Sequence, residues 1–184
     1  MLREDLRLAF DEARSHFDPR WFVRPDGHDA SRTIHGVNHG ARVRVHAMWI
    51  ADREGFAAYQ REALHHAAVW HDIGRTHDGA DYYHGAKSAG KLVGLGLHNG
   101  IDPFVLDLAL FAITHHCGSE EHAERAARWT GESEGSYLCV FRALKDADGL
   151  DRVRLGDLDP SLLRYECTHH RIDDAYALWS ETGC

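Results

Sequence analysis

His71 and Asp72 are neighbours at the end of an apolar stretch. Such a pair can aim an imidazole nitrogen and a carboxylate into one cavity where a helix finishes. Further histidines and aspartates stand at the ends of other expected helices. They are His39 in Gly36-Val37-Asn38-His39-Gly40, then His84, then the pair His115-His116, and last Asp148 in Asp146-Ala147-Asp148-Gly149-Leu150-Asp151. Histidine is the commonest protein ligand for transition metals and titrates nearest neutral pH, and this chain has 16 of them. A single histidine is ordinarily a surface or hydrogen-bonded core residue. Mixed imidazole and carboxylate groups suit a divalent transition metal such as iron, manganese, cobalt, nickel or zinc, and the spacing does not choose among them. The four cysteines, Cys117, Cys139, Cys167 and Cys184, form no Cys-x-x-Cys pair. Reduced thiols are therefore expected, rather than a zinc ribbon or a disulfide framework.

Helical periodicity supplies the frame for these groups. Leu6, Ala9, Phe10, Ala13 and Phe17 recur every three or four residues and predict a helix over 4–17. Residues 18–36 are turn-rich, and Val43, Ala47 and Ile50 restore the helical period over 38–54 until Gly55. A helix over 56–72 carries Leu64, Ala68 and Val69 into His71-Asp72-Ile73-Gly74, and a loop fills 73–83. Four glycines weaken the helix expected over 84–97. Asp102-Pro103 reads as an N-cap and first helical position, opening a helix that ends at His115-His116. Ser119 starts another, a further helix covers 134–148, and a last one lies around 171–180. No alternating strand pattern competes, so the expected fold is all-α, a single globular helical bundle over 1–184.

Composition agrees with that picture. Of 184 residues, 43% are hydrophobic, enough for one core and too few for two domains. No apolar run approaches the ~18 residues of a membrane span, and no basic-then-apolar leader opens the chain, so a soluble cytoplasmic protein with no membrane partner is expected. The net charge of −8 disfavours loose binding to nucleic acid or anionic lipid.

Taken together, the motifs resemble the HD superfamily of metal-dependent phosphohydrolases, whose order is H…HD…H…H(H)…D, over residues 35–155. The resemblance implies that His39, His71, Asp72 and Asp148 hold a first ion, with Asp146 as second choice to Asp148, and that Asp72 bridges to a second ion. His84-Gly85-Ala86-Lys87-Ser88-Ala89 and Thr114-His115-His116 look like the added histidines of two-metal members. They imply a second ion on His84 and His115, with His116 as a further ligand or catalytic group; a one-ion site is the fallback. Iron or manganese is favoured. The family's signature glycine is usually followed by lysine, whereas here Gly74 is followed by Arg75, which keeps the charge and adds bidentate phosphate geometry. Arg42, one helical turn beyond His39, is a second phosphate clamp, and His35 a candidate substrate contact. The implied activity is hydrolysis of a phosphate ester in a nucleotide or related small metabolite, monoester or diester, by a metal-activated water, with Asp72, Arg75 and His116 as catalytic residues.

Other residues take plainer readings. His65-His66 are packing or ligand-orienting groups, Trp49, Trp70 and Trp129 are core aromatics, and Asp151-Arg152-Val153-Arg154 is a solvated charged turn. His169-His170 lie outside the family pattern. Rival functions are an HD-type di-iron oxygenase, a metal-dependent single-strand nuclease, and a non-enzymatic binding module with a structural metal. The double histidine keeps cyclic nucleotides and single-stranded nucleic acid among the candidate ligands.

Overall fold

The long helices bury the apolar stripes that the sequence pattern marks. A computed structural model describes residues 3–183. Its helices are α1 (Glu4–Arg14), α2 (Val37–Arg53), α3 (Ala58–Trp70), α4 (His84–Gly94), α5 (Pro103–His115), α6 (Glu120–Ala127), α7 (Glu134–Leu150), α8 (Glu166–His169) and α9 (Ile172–Thr182). Among the described residues there is no strand, only an isolated antiparallel bridge between Val23 and Asp29. Among the described residues no helix is long and apolar enough to cross a membrane.

Helix α3 packs on α2 and α5, all three meet α7, and α4 lies along α5. Their shared core includes Val43, Ile50, Leu64, Leu108, Ile113, Phe141 and Leu144, each completely buried. Burying each of the larger side chains is worth about 1.5–3 kcal/mol. A smaller cluster of Leu150, Val153, Leu163 and Ala175 holds the C-terminal segments against the end of α7. Capping follows expectation at two helix starts. The Asp102 carboxylate accepts from the Phe104 and Val105 amides at 2.9 and 3.2 Å, and Ser119 Oγ accepts from His122 N at 3.3 Å.

The differences from expectation have local causes. Helix α1 stops at Arg14, and Ser15–Phe17 continue as hydrogen-bonded turns that still bury Phe17. Helix α7 runs to Leu150 and continues as a 3₁₀ turn over Asp151–Leu155, so the expected solvated turn is helical and packed. Trp70 is core, but Trp129 is 93% exposed because it falls in the 3₁₀ segment after α6 rather than on a helix face. His66 stacks on Trp70, and His65 accepts a bond from Arg44 Nε at 2.8 Å, which makes both packing groups on α3.

His46, in the middle of α2, is fully buried with no hydrogen-bond partner on either ring nitrogen among the described residues. Burial first, then the charges of Arg171 and Arg42, push its pKa down to about 3; Asp151 opposes them. Between the ordinary 6.5 and that value the unfolded chain holds the proton and the folded chain does not. Acid therefore favours unfolding, and stability falls as pH drops through this window, by up to about 1.4 kcal/mol per pH unit for this proton. His46→Leu is expected to flatten the pH dependence of the urea midpoint across the same window. An unchanged slope would show that His46 titrates normally in the folded protein.

Candidate metal centre

The His-Asp pair sits where α3 ends. Trp70 is the last helical residue, and the chain then turns through His71–Gly74, so His71 and Asp72 point together into the space bounded by α2, α4, α5 and α7. Helix α2 contributes His39 from its first turn, α4 contributes His84 at its first position, α5 contributes His116 at its C-cap, and α7 contributes Asp148 from its last turn. All of these except Asp148 are nearly fully buried; the Asp148 side chain is 31% exposed.

Hydrogen bonding fixes the ring tautomers. His39 Nδ1 donates to Asp151 Oδ2 at 2.7 Å and His71 Nδ1 to Ala68 O at 2.9 Å. His84 Nδ1 donates to Asp81 O at 2.5 Å and His116 Nδ1 to Ile113 O at 2.7 Å. Each of these oxygens can only accept, so each Nδ1 carries the proton and each neutral ring turns an Nε2 lone pair inward. Arg75 Nη2, which can only donate, lies 3.3 Å from His84 Nε2 and agrees with that assignment.

The lone pairs meet in two couples. His39 Nε2 and His71 Nε2 are 3.1 Å apart, and His84 Nε2 and His116 Nε2 are 2.8 Å apart. Asp72 lies between the couples. Its Oδ2 is 3.4 Å from His39 and 3.9 Å from His71, while its Oδ1 is 3.2 Å from His84 and 3.8 Å from His116. Asp148 Oδ1 joins the first couple at 3.5 Å from His39 Nε2. Atoms that share one ion at roughly 2.0–2.1 Å lie roughly 3.0–3.4 Å from one another. Facing lone pairs repel unless a cation sits between them, and Asp72 Oδ1 is a buried carboxylate oxygen with no hydrogen-bond partner. These buried His and Asp groups can hold metal.

The charge states agree with ligation. Burial drives the His71 pKa down to about 3, against the pull of Asp72, so its ring is neutral at neutral pH. Burial opposes ionisation of Asp72, but the imidazoles of His71, His116, His35 and His39 outweigh it and hold the carboxyl well below the usual range. Asp148 is likewise depressed, burial being outweighed by His39, Arg154 and His71.

Several expectations need correction. His115 does not reach the cluster: adjacent residues on a helix diverge by about 100°, and with His116 inward the His115 ring packs on Phe111 and His122. Asp146 also faces away, accepting from the Arg164 and Tyr165 amides at 2.7 and 2.9 Å. Asp148 and Asp151, three residues apart on one helical face, both turn to His39. Arg42 is no phosphate clamp. It is 1% exposed, and its guanidinium is committed to Asp151, Thr182 and Gly183. Arg154 is buried rather than solvated, donating to Ile34 O at 3.0 Å and lying 3.2 Å from His35 Nδ1. Asp151 and Arg154, read as parts of a solvated turn, stand three and six residues after Asp148, a spacing that keeps all three on one helical face.

Arg75 and His35 both lie beside Asp72. Arg75 Nε lies 2.9 Å from Asp72 Oδ2, and His35 Nδ1 lies 3.0 Å from the same oxygen. Both line a cavity of about 850 Å³ that opens over the cluster, a volume that suits a small-molecule ligand. Lys145, Arg152 and Arg164 are further cations on its walls.

Glycine at position 85 lets α4 lie against the end of α5. A Cβ there would come within 2.3 Å of Ile113 O and 2.8 Å of Thr114 O, and Ile113 O is the oxygen that orients His116. Gly85→Ala is expected to cost about 1–3 kcal/mol of stability and to disturb the His84-His116 couple before the other. Urea unfolding and metal content would check this; an unchanged midpoint with unchanged metal would contradict it.

No protein-family model, no curated protein and no solved structure matches the chain. These comparisons lend no support to the resemblance to the HD superfamily, which rests on the order and spacing of residues alone.

Proposed function

We propose that this protein is a metal-dependent phosphohydrolase of the HD type, acting on a phosphate ester of a nucleotide or related small metabolite. The observation that carries the reading is the Asp72 carboxylate, one oxygen turned to the His39-His71 couple and the other to the His84-His116 couple. His39, His71, Asp72 and Asp148 would hold a first ion, for which iron or manganese is favoured, and His84, His116 and Asp72 a second. Bound there, divalent ions would acidify a water and polarise phosphoryl oxygens.

The chain's own groups suit the rest of the task. Asp151 fixes the His39 ring through Nδ1, and the Ala68, Asp81 and Ile113 carbonyls do the same for the other three, so every Nε2 is turned inward. Arg75, at the cavity floor, offers a planar two-pronged donor to phosphate oxygens. Lys145 adds a second positive charge; its ammonium donates to Gly118 O at 2.7 Å. His35, within 3.0 Å of Asp72 and lining the same cavity, would contact the substrate there.

The test is release of phosphate or nucleoside from nucleoside mono-, di- and triphosphates, cyclic nucleotides and an aryl phosphodiester, with manganese or iron supplied. Turnover by the wild type that Arg75→Ala reduces and Asp72→Ala abolishes would support the reading. Silence across the panel in metal-loaded protein would overturn it. The same six ligands, His39, His71, Asp72, His84, His116 and Asp148, would serve a di-iron oxygenase, for which oxygen uptake is the separating assay.

A further inference from the structure

We propose that Cys117 is a ligand of the second ion position, which makes that position a His84-His116-Cys117 site completed by Asp72 Oδ1 and selective for a thiophilic ion such as zinc. The inference rests on the two-position reading above and deepens it.

Three observations carry it. First, ligand atoms of His84, His116 and Cys117 all lie within 4.8 Å of one another. Cys117 follows the C-cap of α5, where the chain leaves the helix and Gly118 N closes a turn onto His115 O at 2.9 Å. Second, the Cys117 thiol donates only to Tyr82 O, at 3.2 Å. That bond is weak, so ligation gives up little. Third, Asp72 Oδ1 is buried without a hydrogen-bond partner and lies 3.2 Å from His84 Nε2. It would offer a fourth donor from the His84 side, and two imidazoles, a thiolate and a carboxylate are ligand types that zinc accepts in a tetrahedral site. Cys139 and Cys167 belong to no such cluster among the described residues, and Cys184 lies outside them.

The two positions then differ in softness. The first offers imidazole and carboxylate only, whereas the second adds sulfur, which favours zinc or cobalt over manganese. On ligation the Sγ–H bond breaks, its proton passes to solvent, and the Sγ–metal bond forms with no change of oxidation state. The chain would thus sort two different ions into adjacent places.

Cobalt(II) titration of the ion-free protein tests this, because a thiolate ligand gives cobalt an intense near-ultraviolet charge-transfer band that imidazole and carboxylate do not. Wild type is expected to bind two cobalt ions, with the band growing in only with the ion at the second position. Cys117→Ser is expected to lose the band and to weaken the second ion by more than the ~10–100-fold that loss of an outer-shell partner costs, while the first ion is retained. Cys117→Asp, which supplies oxygen in place of sulfur, is expected to hold both ions without the band, separating ligation from misfolding. Two ions with no band in wild type, or a band that survives in Cys117→Ser, would overturn the inference and leave the two-ion reading intact. Fewer than two ions in wild type would overturn both.

Discussion

Alanine at position 72 is expected to empty both ion positions at once. Asp72 is the only carboxylate whose two oxygens approach both histidine couples among the described residues, at 3.2 Å on one side and 3.4 Å on the other. Loss of a residue that merely orients a ligand costs ~10–100-fold in affinity, and a shared ligand should cost more than that in each position. Asp72→Asn keeps the shape but replaces one oxygen with a hydrogen-bond donor, so it should hold at most one ion. The check is metal per chain after dialysis against a weak chelator, read by plasma mass spectrometry. Two ions retained in Asp72→Ala would show that the carboxylate is not shared.

Arg42→Ala is the substitution expected to cost the most stability. Arg42 Nε and Nη2 donate to Asp151 at 2.5 and 3.1 Å, Nη1 donates to Gly183 O at 2.6 Å, and the guanidinium lies over the Trp179 ring. Asp151 is fully buried, so removing Arg42 leaves a carboxylate compensated by only His39 at 2.7 Å and Arg154 at 3.4 Å. Breaking a buried pair from one side typically costs about 3–5 kcal/mol, a large share of a net stability of about 5–15 kcal/mol. Because Asp151 also orients His39, the first ion should weaken together with the fold. Arg42→Lys should recover only part of the loss, since an ammonium cannot reproduce the forked contact. Urea unfolding of ion-free protein would measure both variants. A loss in Arg42→Ala smaller than about 1 kcal/mol, the scale of a surface ion pair, would return Arg42 to the role of an exposed clamp.

Short-range information was enough for the frame. The three- and four-residue recurrence of apolar side chains, the Asp102-Pro103 start and the glycine breaks set which segments are helical and roughly where each one ends, because these depend on a few neighbouring residues. The adjacency of His71 and Asp72 and the order of His39, His84, His116 and Asp148 were equally open to reading. What the string could not decide is which way a residue at a helix end points. The resemblance favours His115 over His116 and Asp148 over Asp146, and the packing of α4 against α5 and of α2 against α7 turns His116 and Asp148 inward, reversing the first choice and keeping the second. Arg42 reads as a phosphate clamp and Arg154 as part of a solvated turn until the 3₁₀ turn after α7 and the end of α9 close over them. Cys117 comes within reach of His84 only because α4 packs against the end of α5. Helix phase is a local property, but the face that a helix end presents to a cavity is set by partners distant in sequence, and the tertiary structure alone supplies them.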